Sequence, residues 1–333
     1  MVSLGPKVMG VINVTPDSFS DGGRFQNLGD IAERAEALIA AGADILDVGG
    51  ESTRPGAAPV SEACELARVI PAIKAIRARI DAPISVDTMK PAVARAAIEA
   101  GAVVWNDVSA LTWADDSLAT AAALGCSVVL MHSLGAADMK DDHPAYDDVI
   151  EEVSAYLAER ARSAMAAGVR RESIQLDPGI GFGKTAAHNL ALLANLDRIV
   201  ALGFPVLLGV SRKRFIRTLD PSAEAPTDRL GGSLAAALAG ARAGVAMVRV
   251  HDVRETVQAL AVQAAIEEHR LPQGRRIHTS ARKAPTREIP PPLGEGNHPQ
   301  GGGGGLAAAP SPVERPPQSA SPTAPPTGER LRS

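Results

Sequence analysis

The apolar residues of this chain fall into eight short runs, each closed by a polar side chain. Residues 8–12 end at Asn13, 44–46 at Asp47, 84–86 at Asp87 and 103–105 at Asn106. The series continues with 128–131 ending at His132, 174–176 at Asp177, 206–210 at Ser211 and 247–250 at His251. Between these runs lie stretches with apolar residues at helical spacing: 30–41, 61–79, 91–100, 115–124, 145–166, 187–202, 228–243 and 253–268. In 145–166, for example, Val149, Val153, Tyr156 and Leu157 share one face. Strand and helix in alternation predict a parallel α/β fold. Eight repeats of the pair predict a (β/α)8 TIM barrel, in which every strand delivers its closing polar residue to one rim. An open doubly wound sheet is the competing architecture. It would be favoured by a glycine-rich dinucleotide loop after the first strand, and residues 13–23 contain no G-x-G-x-x-G.

The last periodic helix ends near His269, and beyond Pro272 the chain changes character. Residues 272–333 hold no Phe, Tyr or Trp, are crowded with Pro, Gly, Ser and Ala, and include the glycine run 301–305. Such a stretch cannot bury enough apolar surface to offset its ordering entropy. The expectation is a barrel over 1–271 and a disordered tail over 272–333. The tail is either a solvated extension or a docking segment that presents Pro290–Pro292 or Pro316–Pro317 as polyproline.

Composition refines this picture. Hydrophobic residues make up 45% of the chain but aromatics only 3%, so the core is aliphatic. A net charge of −4 gives no support to a nucleic-acid partner. The two cysteines, Cys64 and Cys126, lie in unrelated segments, which suits a reduced compartment better than a disulfide scaffold. With a strand starting near Val8 and no apolar stretch of membrane-spanning length, a cytoplasmic protein without targeting signal or membrane association is expected.

The loops after the first two strands carry unusual chemistry. Residues 13–23, Asn-Val-Thr-Pro-Asp-Ser-Phe-Ser-Asp-Gly-Gly, mix carboxylates, hydroxyls and one Phe, a composition suited to a mobile lid. Residues 49–56, Gly-Gly-Glu-Ser-Thr-Arg-Pro-Gly, combine close backbone approach with an arginine that can grip an anion. On the eighth strand, Arg249 and His251 alternate with Val248 and Val250 and therefore share a face. A buried arginine without an anion is costly, which makes this an expected anion site, with Asn13 on the neighbouring first strand completing it. Taken singly, an Asp after a strand is ordinarily a helix cap, and a basic triplet such as Ser211-Arg212-Lys213 is ordinarily a solvated patch.

Taken together, these segments resemble dihydropteroate synthases. The resemblance runs in order over about residues 8–268, through the two loops, Ser85–Lys90, Asn106–Ser109, Asp177–Lys184, Ser211–Lys213 and Arg249–Asp252. It implies a (β/α)8 transferase of folate synthesis that joins 6-hydroxymethyl-7,8-dihydropterin pyrophosphate to p-aminobenzoate. By the same resemblance, Asp87, Asn106, Asp177 and Lys213 bind the pterin. Phe19, Thr53, Arg54, Pro55, Phe182 and Ser211 form the p-aminobenzoate slot, with Arg212 beside it. Asn13, Arg249 and His251 hold the diphosphate, and Asn13 also meets a Mg2+ ion. Asp21, Lys213, Arg249 and His251 are the residues expected to carry catalysis. The resemblance further implies a homodimer and inhibition by sulfonamides, which imitate p-aminobenzoate. The fifth strand departs from the family's common Met-His-Met followed by Gln-Gly: here Met131-His132-Ser133-Leu134-Gly135 stands instead. Two other readings remain: a methyltransferase that passes a folate methyl group to a corrinoid protein, which has no use for a diphosphate site, and a catalytically silent pterin-binding paralogue.

Overall fold

The computed structural model describes residues 5–15, 28–52, 58–134 and 145–269. All of them belong to one compact unit, Met1–Arg275, and Arg276–Ser333 is a separate unit. The tail expected over 272–333 lies outside the described residues.

The eight expected runs form eight strands: β1 Lys7–Asn13, β2 Ile45–Gly49, β3 Ile84–Asp87, β4 Val104–Asp107, β5 Ser127–Met131, β6 Ile174–Asp177, β7 Leu207–Gly209 and β8 Met247–Val250. They make one sheet in the order β6-β5-β4-β3-β2-β1-β8-β7, and every pairing is parallel. A parallel bridge between Leu176 and Val206, with Leu176 N–H donating to the Pro205 carbonyl at 2.9 Å, joins β6 to β7 and closes the barrel. The sheet therefore has the (β/α)8 form rather than the doubly wound one.

Ten helices cover the outside among the described residues: α1 Leu28–Ala40, α2 Glu62–Arg77, α3 Pro91–Glu99, α4 Ser117–Leu124, α5 Val149–Ala166, α6 Ala186–Ala194, α7 Leu196–Val200, α8 Arg214–Leu219, α9 Leu230–Ala243 and α10 Val253–Glu268. Two depart from the sequence expectation. The single helix expected over 187–202 is split at Asn195, whose φ of −125° leaves the helical region. Its side-chain amide donates to the Ala191 carbonyl at 2.9 Å and so caps α6. Helix α8 carries too few residues to show a helical period in sequence.

Strand parity sorts the core into two parts. Val8, Leu46, Val86, Trp105, Leu130, Leu176, Leu208 and Val248 point outward and pack under the helices. Met9, Ile45, Val104, Val129, Leu207 and Met247 point inward and form a separate plug in the barrel. The same inward faces, read two residues further along, carry Asp47, Asn106, Met131, Gly209 and Arg249. The barrel is thus apolar below and charged toward its C-terminal mouth. No described helix is long and apolar enough to cross a membrane.

Candidate active site at the barrel mouth

Register brings the polar strand ends together. Asp87 is the Cα neighbour of both Gly49 and Asn106, Asp177 that of Met131, and Arg249 that of Gly209. Glycine at the inward positions 49 and 209 leaves space for carboxylates: a Cβ on Gly49 would lie 3.6 Å from Asp87 Oδ2, and one on Gly209 would lie 3.8 Å from Asp177 Oδ2.

Arg249 crosses the mouth. Its Nε donates to Asp47 Oδ2 at 2.6 Å and its Nη2 to Asp87 Oδ2 at 2.8 Å. The anion that the sequence reading required for a buried arginine is therefore supplied first by the protein itself, by Asp47 and Asp87. Burial works against the charge of Arg249, but Asp47 and Asp87 outweigh it and hold the guanidinium ionised. Burial pushes Asp87 up to about 7; Arg249 opposes this and the neighbouring Asp47 adds to it. Asn106 donates its side-chain amide to Asp47 Oδ2 at 3.2 Å, and its side-chain carbonyl oxygen takes no donor among the described residues.

Asp177, on the opposite wall, accepts the Gly179 N–H at 2.7 Å. Burial raises its pKa against that bond and against Lys213. Lys213 is itself pushed down to about 8 by burial, with Asp177 opposing and Arg249 adding to the fall. Its ammonium lies 4.2 Å from the centre of the Phe182 ring, a cation–π contact. The structure thus places Asp87, Asn106, Asp177, Lys213, Arg249 and Phe182 around one mouth. Asn13 ends β1 with the inward parity of Met9.

The β7 and β8 ends place three further residues of the resemblance. His251 is pushed down to about 3, first by burial and then by Arg249 and Arg212, so it is neutral at physiological pH rather than one of the positive groups. Its backbone N–H donates to Ser211 Oγ at 3.2 Å, and its Nδ1 lies 3.0 Å from the same oxygen. The Ser211 hydroxyl pairs with Nδ1 in either tautomer, as donor or as acceptor, and so orients the imidazole ring. Ser211 Oγ thus lies against both the backbone and the ring of His251. Arg212 pairs through Nε and Nη2 with Asp252, and its left-handed backbone, φ 60°, is held by Ser233 and Arg229. These bonds fix the loop between β7 and α8.

With this geometry in view, the comparisons identify the chain's relatives. Residues 9–251 match the family described as pterin binding enzyme. The chain is 48% identical over 260 residues to the dihydropteroate synthase of Escherichia coli K12, covering 78% of this chain and 91% of that protein. The chain belongs to the dihydropteroate synthase family. Two solved dihydropteroate synthases of Xanthomonas albilineans agree. One, with 4-aminobenzoic acid, is 48% identical with a TM-score of 0.75, over 80% of this chain and 94% of that one. The other, with 7,8-dihydropteroate, is 45% identical with a TM-score of 0.72, over 81% and 97%.

Phe19, Asp21, Thr53, Arg54 and Pro55, expected from the family resemblance, lie outside the described residues. Three features of the mouth escaped the sequence reading. Asp47 was read as the end of its apolar run, but β2 continues to Gly49 and Asp47 sits inside the barrel, fully buried. Its inward parity with Ile45 was the available signal. Lys184 donates to the carbonyls of Gly179 and Phe182, each at 3.1 Å, and its Nζ lies 2.9 Å from His132 Nδ1. Burial pushes Lys184 down to about 7 and His132 to about 3, with Lys184 adding to the latter fall. His132 is therefore neutral, and its contact with Lys184 ties the end of β5 to the β6 loop. Lys90 bridges Glu51 and Glu65 beneath the β2 loop. No sequence spacing announces either lysine's partners, because they arrive from other strands.

Proposed function

We propose that this chain joins 6-hydroxymethyl-7,8-dihydropterin pyrophosphate to p-aminobenzoate, giving 7,8-dihydropteroate and pyrophosphate. The observation that carries the reading is the single mouth in which the acceptors Asp87, Asn106 and Asp177 face the cations Lys213 and Arg249. A pterin has a flat edge rich in N–H donors, which suits two carboxylates and an amide carbonyl. Arg249 keeps Nη1 for the diphosphate after Asp47 and Asp87 have taken Nε and Nη2. The neutral His251 adds a ring nitrogen on the diphosphate side, and Ser211 orients its ring.

In the reaction the C–O bond to the diphosphate breaks, and its electron pair leaves with pyrophosphate. The methylene carbon left behind is a cation delocalised into the dihydropterin ring. Asp21 stabilises that charge from the β1 loop. Lys213 lies between ring and slot, while Phe19, Pro55 and Phe182 wall the p-aminobenzoate and Thr53 and Arg54 hold its carboxylate end. The arylamine nitrogen attacks the methylene carbon, the C–N bond forms and the amine proton passes to solvent.

Asn13 offers one hard oxygen donor, and no described cluster of three His, Cys, Asp or Glu forms a resident metal cage. This donor set fits Mg2+, which takes few protein ligands and draws the rest from phosphate and water. Held by Asn13 and the diphosphate, the ion would neutralise charge on the leaving group. The protein acts on small molecules in the cytoplasm as a homodimer.

The test is pyrophosphate release from the pterin pyrophosphate. Release that depends on p-aminobenzoate and is suppressed by a sulfonamide is the expected result. Pterin binding without release would favour the silent paralogue, and methyl transfer from a methylated folate would favour the corrinoid-linked enzyme.

A further inference from the structure

We propose that Asp47 is a positioning residue for both halves of the pterin pyrophosphate, through its simultaneous hold on Asn106 and Arg249. The inference rests on the reaction proposed above and adds to it a residue that touches neither half. Asp47 is fully buried on the inward face of β2. One of its oxygens, Oδ2, accepts both from Asn106 Nδ2 at 3.2 Å and from Arg249 Nε at 2.6 Å.

A carboxylate only accepts hydrogen bonds, so Asn106 must turn its NH2 to Asp47 and its carbonyl away from it. That leaves Asn106 an acceptor for ligand N–H donors. The same oxygen fixes the plane of the guanidinium: with Nε on Asp47 and Nη2 on Asp87, Nη1 is the edge left over. One carboxylate thus sets donor–acceptor polarity on the pterin side and direction on the diphosphate side.

The other oxygen, Oδ1, is buried with no donor among the described residues. A buried carboxyl oxygen without a donor is unfavourable to stability, and Asp47 also raises the pKa of Asp87. A side chain kept solely for stability would not be placed this way, whereas one kept to orient its neighbours is.

Asp47→Asn tests this sharply. The single carbonyl of the new side chain goes to the charged Arg249 Nε, and its NH2 faces Asn106. Asn106 must then turn over, presenting NH2 instead of carbonyl to the ligand. Calorimetry with two separate probes reads both arms: 6-hydroxymethylpterin, and inorganic pyrophosphate with Mg2+. Both affinities are expected to fall at least tenfold, the KM for p-aminobenzoate is expected to stay within twofold, and the variant is expected to keep a single cooperative thermal transition. Asp47→Ser, smaller and still able to accept from Arg249, is expected to give the same pattern. Unchanged binding of both probes, or loss of pyrophosphate binding alone, would overturn the dual role. So would a failure of both variants to fold, which would make Asp47 structural. A wild-type protein that binds neither probe would remove the proposed reaction itself, and this inference with it.

Discussion

Asp87 sits where burial and a guanidinium pull in opposite directions. With its carboxyl raised from 3.8 to about 7, the ligand-free protein takes up a proton at Asp87 as pH falls through about 7. Its contribution to stability is therefore fully present below about pH 4 and is lost as pH rises through about 7. Binding has the opposite sign, because an acceptor for pterin N–H donors must be ionised. Pterin affinity should climb several-fold between pH 6 and pH 8 while the melting temperature of the ligand-free protein falls. Calorimetry and thermal scans over that range measure both, and a flat affinity profile would remove Asp87 from ring recognition. His251 makes a second prediction at this scale. Buried beside Arg249 and Arg212, it should stay neutral, so its ring proton resonances should not move between pH 5 and pH 9. A titration near the ordinary histidine value would show that burial is weaker than the structure implies.

Among the elements, the β6 loop is the one most constrained. Tyr146 Oη donates to the Gly183 carbonyl at 3.0 Å, and the Gly181 N–H donates to Asn189 Oδ1 at 2.7 Å. Lys184 gathers the carbonyls of Gly179 and Phe182, so Phe182 is held against Lys213 from behind. Gly179 has φ 67°, and a Cβ there would lie 1.9 Å from the His132 carbonyl oxygen. Gly179→Ala should destabilise the protein by about 2 kcal/mol or more, combining left-handed strain with the clash, and lower the melting temperature by about 5 °C. The p-aminobenzoate KM should rise as Phe182 shifts; an unchanged melting temperature would contradict the packing described here. The run Asp177–Lys184 was legible as a family motif, yet its internal bonds were not. They link the end of β5, the segment before α5 and α6 across separations that no local pattern records.

For the whole molecule, the plug of Met9, Ile45, Val104, Val129, Leu207 and Met247 divides the barrel into an apolar base and a charged mouth. Every described residue of the site lies within Met1–Arg275. A chain ending at residue 271 should therefore retain turnover within about twofold of the full-length protein, with the 272–333 segment dispensable. Pyrophosphate release by the two forms measures this. A loss of tenfold or more would give the tail a part in catalysis.

The linear sequence by itself determined the barrel. Strand length, alternation with helical periods and the polar residue closing each run are local properties, and eight repeats of them admit one closed parallel arrangement. The ordered rim motifs likewise carried the family. Tertiary structure alone decided how the charges divide the work. Arg249 is neutralised by Asp47 and Asp87 from two other strands, Asn106 owes its amide polarity to Asp47, and His251 loses its charge to burial among arginines. The reason is electrostatic: ionisation and hydrogen-bond direction depend on distance and desolvation, and neither is set until strands far apart in sequence close around the same mouth.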